Sequence, residues 1–70
     1  MATKRLRYFH SGFYRVWGQD PTRHGRTFKK LEEARAWAEA EAPLSCGYAF
    51  VHHTTTDQVD FYSARTQQWS

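Results

Sequence analysis

Four histidines and a single cysteine are the residues of this chain able to ligate a metal or act as a nucleophile, so their spacing sets what chemistry is open to it. Cys46, His52 and His53 fall in a C-x5-H-H pattern, and His10 and His24 lie far from them in sequence. A structural zinc site needs four ligands, usually as two closely spaced pairs, and the second pair is missing. Structural or surface histidines and no metal are therefore expected. Cys46 as nucleophile with His52 or His53 as base would need an orienting group and an oxyanion hole, and no motif marks either. Gly12, Gly18, Gly25 and Gly47 occur singly, as turn glycines do, and form no phosphate-cradling loop. The carboxylate pairs Glu32-Glu33 and Asp57/Asp60 read as a solvated helix face and a hairpin end. The expectation is a domain that is not an enzyme and carries no cofactor.

Charge points elsewhere. Residues 1–30 hold eight Lys/Arg against Asp20 alone, whereas residues 31–70 hold Arg35 and Arg65 against six Asp/Glu. A basic half of this kind suits a polyanionic partner. Lys4, Arg5, Arg7, Arg15, Arg23 and Arg26 are the candidates for phosphate contacts. The competing reading is a solvated basic edge that pairs with the acidic helix of the second half.

The elements that must position these residues can be read from the pattern. Two aromatic-rich runs at 5–10 and 13–17 flank Ser11-Gly12, the composition of a β-hairpin. Gly18-Gln19-Asp20-Pro21-Thr22 and Gly25 make a polar loop, and Arg26-Thr27-Phe28 is either a short strand or the run-up to a helix. A helix is expected over 28–42, capped by Thr27 and ended by Pro43. Phe28, Leu31, Ala34, Ala38 and Ala42 share one of its faces, with Trp37 on the flank. Residues 48–54 and 58–63 read as a second hairpin. The fold class expected is α+β, in the order β-β-α-β-β, with the helix packed on one face of an antiparallel sheet. The domain spans 1–63, and 64–70 form a polar tail whose Trp69 docks back or meets a partner.

The register of the second hairpin decides what its open face offers, because a slip of one residue exchanges the two faces. An odd loop puts Ala49, Val51, Val59 and Phe61 toward the helix and leaves Tyr48, Phe50 and Tyr62 as an aromatic platform. An even loop makes Tyr48, Phe50, Val59 and Phe61 the core and leaves no platform. Tyr48 and Phe50 are accordingly candidate base-stacking residues in the first case only.

Length and composition bound the rest. Seventy residues make one domain, with a core that must draw on three Trp, four Tyr and five Phe. The lone Cys46 cannot form an internal disulfide, which suits a reducing compartment. After Lys4, Arg5 and Arg7 the chain runs Tyr8-Phe9-His10-Ser11-Gly12, so no secretory signal is expected. No apolar run approaches the roughly 18 residues of a membrane helix. A cytoplasmic location follows as the expectation.

Two local resemblances bear on partners. Gly47-Tyr48-Ala49-Phe50-Val51 matches the central five positions of the main ribonucleoprotein motif of RNA-recognition-motif domains, in which alternate aromatics stack on bases. Cys46 stands where that motif has a basic residue and His53 where it has an aromatic, and too little chain follows for the family's second helix and last strand; the match is read as strand composition. Phe28, Glu33, Ala34 and Trp37 carry an F-x4-E-A-x-x-W pattern, with Tyr14-Arg15-Val16-Trp17 and Gly25-Arg26-Thr27-Phe28 ahead of it. Over residues 13–42 this resembles the N-terminal arm-type DNA-binding domain of tyrosine recombinases, whose sheet enters a DNA groove. The resemblance implies DNA contacts for Arg15, Arg23, Arg26 and Arg7, although Lys30 replaces the usual Thr and the hairpin at 48–63 is additional. The two partner classes left open are nucleic acid and a host protein, the latter as for a small phage- or plasmid-encoded inhibitor.

Overall fold

The computed structural model describes residues 13–70. Strands β1 (Tyr14–Gly18) and β2 (Arg26–Phe28) precede helix α1 (Leu31–Glu41) and a 3-10 turn (Ala42–Leu44). Strands β3 (Tyr48–His53), β4 (Gln58–Ser63) and β5 (Gln68–Trp69) follow. They form one sheet in the order β2-β1-β3-β4-β5, antiparallel throughout. The expected α+β class and β-β-α-β-β order hold, with β5 added at the end. Among the described residues no helix is long and apolar enough to cross a membrane.

Small side chains set the spacing of the two layers. Ala34, Ala38 and Ala42 on the helix side meet Val16, Ala49 and Val51 on the sheet, and all six are fully buried. Alanine on the helix lets the backbone come close to the strands, which leaves no room beneath it for rows of large rings. Tyr62 completes the buried cluster, while Tyr14, Phe28, Leu31, Trp37 and Trp69 pack around its margin. The helical face read from the wheel is therefore the buried one.

The segment ahead of the helix differs in detail from the expectation. The helix begins at Leu31 rather than at Phe28, because Arg26, Thr27 and Phe28 pair with Val16, Arg15 and Tyr14 as an edge strand. Thr27 is thus a strand residue; the helix is preceded by an extended Lys30 with no side-chain cap, and Glu32 and Glu33 in its first turn complement the dipole. The two strands ahead of the helix are β1 and β2, and both edges of β1 are occupied, by β2 and β3. The strand expected at 5–10 lies outside the described residues.

The segment 64–70 is more than a tail. Tyr62 pairs with Trp69 and Ser63 with Gln68, and Phe61 and Ser70 exchange backbone hydrogen bonds at 3.0 and 2.7 Å. Trp69 docks on the helix side. Its ring lies 5.1 Å from that of Tyr62 and under the Arg35 guanidinium, and its Nε1–H donates to Glu39 at 3.1 Å. An indole with an apolar body and one donor fits such a margin.

The hairpin register is the even one, with His53 opposite Gln58 and Phe50 opposite Phe61. It groups Tyr48, Phe50, Val59 and Phe61 on one face as expected, yet that face is the one away from the helix. Pairing of Val16 with Val51 across β1 and β3 fixes this, since both are fully buried against the helix and their neighbours along each strand must point the other way.

Candidate nucleic-acid interface

Alternation along the strands defines the open face. It carries Arg15 and Trp17 on β1, Thr27 on β2, Tyr48, Phe50 and His52 on β3, Val59, Phe61 and Ser63 on β4, and Gln68 on β5. None of these ten is an Asp or Glu. The carboxylates of the described residues lie on the helix, in turns, or at Asp60 on the helix-facing side.

Two cross-strand rows organise this face. In the first, Trp17 stands opposite Phe50, and Phe50 opposite Phe61. Ring centroids are 5.5 Å apart at 27° for Trp17 and Phe50, and 5.3 Å apart at 49° for Phe50 and Phe61. Tyr48 stacks on Phe61 from the diagonal position, at 5.1 Å and 25°. These separations are close to the spacing of neighbouring strands, so the rings crowd one another on the sheet, with Trp17 stacked on Phe50, Tyr48 on Phe61, and Phe50 tilted against Phe61. In the second row, Arg15 lies between Thr27 and His52, with Val59 beyond. His52 lies edge-on to Trp17, at 6.4 Å and 79°, and its Nε2 is 2.7 Å from an Asp57 carboxylate oxygen at the hairpin end.

On the β2 side of Trp17 the face deepens into a cleft. One part, about 160 Å³, is lined by Arg15, Val16, Trp17, Gly25, Arg26 and Thr27. The other, about 320 Å³, adds Gly18, Asp20, Pro21, Arg23 and His24 to Arg15, Trp17 and Gly25. The loop that forms its wall is anchored twice. The Asp20 amide donates to the fully buried Ser45 hydroxyl at 2.7 Å, and Arg23 grips Glu41 through Nε and Nη2, the latter at 3.1 Å. The Glu41 carboxylate raises the pKa of Arg23 above the ordinary guanidinium value. The Asp20 carboxyl is lowered by hydrogen bonds from the Thr22 hydroxyl and amide.

The sequence-predicted residues thus separate. Arg15, Tyr48 and Phe50 come together on the open face, whereas Arg26, opposite the buried Val16, lines the cleft from the helix-facing side of β2 with its guanidinium 5.9 Å from the Phe28 ring. Arg23 also reaches the cleft, but two of its nitrogens are committed to Glu41. Lys4, Arg5 and Arg7 lie outside the described residues. Tyr62, a platform residue in the odd register, is buried beneath the helix. Trp17, His52 and Phe61 join this face as well, and their strict alternation with Val16, Val51 and Asp60 is the sequence signal for them.

The nucleophile and metal candidates are dispersed. Cys46 is exposed, while His52 and His53 point to opposite faces and pair with Asp57 and Asp60. Among the described residues no three His, Cys, Asp or Glu converge on a metal-sized site. Compared with family models, curated proteins and solved structures, the chain matches none of them.

Proposed function

We propose that this chain is a non-catalytic nucleic-acid-binding domain whose open sheet face receives a single strand. The observation that carries the reading is the composition of that face: it holds Arg15 and His52 beside a row of aromatic rings, and no carboxylate among its ten strand positions. Strand positions that hold a guanidinium and no carboxylate favour a phosphate backbone, with Asp20 and Asp57 confined to the loops at the margin, while half-buried aromatic groups favour unpaired bases over a closed duplex. The basic residues Lys4, Arg5 and Arg7 precede β1 in the chain. The acidic helix lies on the opposite side of the sheet, so a polyanion approaching the open face does not meet it.

Retardation of labelled single strands and duplexes over a salt series tests the reading. Binding of the single strand that weakens linearly in log-log form as salt rises supports it. No retardation of any strand at about 50 mM salt, where phosphate attraction is strong, refutes it and leaves the host-protein reading. Tighter binding of duplex than of single strand would instead favour groove insertion of the sheet, as the resemblance to recombinase arm domains implies.

A further inference from the structure

The proposed single-strand reading leaves open how many bases the face holds, and the ring geometry bears on that number. In the row Trp17–Phe50–Phe61 the faces of the rings are spent on one another, with Tyr48 covering Phe61 as well. A base cannot stack inside such a row; it can only extend the row from an end. At the Trp17 end the ring has Phe50 on its β3 side, and on its β2 side it forms a wall of the cleft.

We propose that this cleft is a socket for one unpaired nucleobase, which stacks on the outer face of Trp17 while a flanking phosphate lies against Arg15. The inference rests on the proposed nucleic-acid function and sharpens it from a platform for several bases to a site for one. Size agrees, because the two parts, about 160 Å³ beside Thr27 and about 320 Å³ beside the loop, lie at or below the small end of ligand clefts and suit one planar group rather than a run of them. Gly25 lets the loop backbone close against β1 at the edge of the cleft, since an added Cβ would lie 2.4 Å from the Val16 carbonyl oxygen and 3.1 Å from Trp17 Cβ. The wall is held by the hydrogen bond from Asp20 to Ser45 and by the Arg23–Glu41 pair, so the cleft exists before a ligand arrives.

The test counts bases on a short single strand that is abasic throughout, then carries one base, then two. A single base is expected to tighten binding by roughly five- to a hundred-fold, the effect of one stacked base, and a second base by less than about twofold. Trp17→Leu should erase the gain from the single base, as should Thr27→Tyr, which fills the cleft from an exposed edge-strand position without touching the core. Phe61→Leu should keep it. Circular dichroism of each variant separates loss of the socket from loss of the fold. Equal gains from each added base, or a gain that survives Thr27→Tyr in a folded variant, overturn the socket while leaving phosphate binding in place. Failure of the parent protein to bind any of the strands overturns the nucleic-acid reading itself, and the socket with it.

Discussion

Gly18 and Ser45 compete for one small space: a Cβ added to Gly18 would lie 2.0 Å from the Ser45 hydroxyl oxygen, which accepts the Asp20 amide at 2.7 Å. This contact joins the end of β1 to the turn after the helix and fixes the loop that walls the cleft. Gly18→Ala is expected to destabilise the domain by about 1–3 kcal/mol through overpacking. Ser45→Ala should cost about 1–3 kcal/mol by orphaning a partly buried amide. Combining Gly18→Ala with Ser45→Gly should cost less than the two single changes added, because the second makes room for the first. Urea unfolding of the four proteins reads the cycle, and strict additivity would show that the two residues do not share the space.

Ala38 tests the closeness of the helix to the sheet. It is fully buried among Ala34, Val16 and Val51, so Ala38→Leu must push the layers apart or bend a rotamer, at about 1–3 kcal/mol. Leu31, at the margin of the cluster, should tolerate substitution better than a central core position does. If thermal unfolding ranks Leu31→Ala as the more damaging of the two, the centre of the core has been misplaced.

Asp60 makes stability depend on acid. Burial alone raises its carboxyl, but hydrogen bonds from His53 at 2.7 Å, Gln58 and Arg35 outweigh burial and hold it below its ordinary value of 3.8. A carboxyl lowered in the folded state contributes stability above its unfolded value, and that contribution is lost as pH falls through the folded value. The stability difference between the parent and Asp60→Asn should therefore be steady near pH 5 and shrink below about pH 4. A difference that stays constant down to about pH 2.5 would remove Asp60 from the acid response.

The arginines should separate in a salt series. Arg15→Gln should lower the log-log slope of single-strand binding by about one unit, as loss of one phosphate contact does, and Arg26→Gln, on the helix-facing side of β2, should lower it by less. Arg23→Gln should change the slope little and lower the unfolding midpoint instead, because it leaves the buried Glu41 carboxylate without its partner. An Arg23→Gln variant with a flattened slope and unchanged stability would reverse these roles.

Much of this architecture was legible in the chain. The helical face Leu31-Ala34-Ala38-Ala42, the stop at Pro43, the strands at 48–53 and 58–63, and the α+β order all follow from periodicity and from the residues that punctuate it. The sequence places the helix start three residues early because Arg26-Thr27-Phe28 has no periodicity of its own, and pairing with the edge of β1 makes it a strand. The two-residue strand at Gln68–Trp69 likewise exists only because the β4 edge was there to pair with it. Alternation named the groups of residues that share a face, but no local signal told which group meets the helix. That choice belongs to packing, since Ala34, Ala38 and Ala42 let the helix and its 3-10 turn close on Val16, Ala49 and Val51, with Tyr62 completing the cluster, and send Trp17, Phe50 and Phe61 to the other side. The cleft is likewise tertiary, for its walls come from β1, β2 and a loop tied to Ser45 and Glu41, residues that sit in the chain far from the ones they hold.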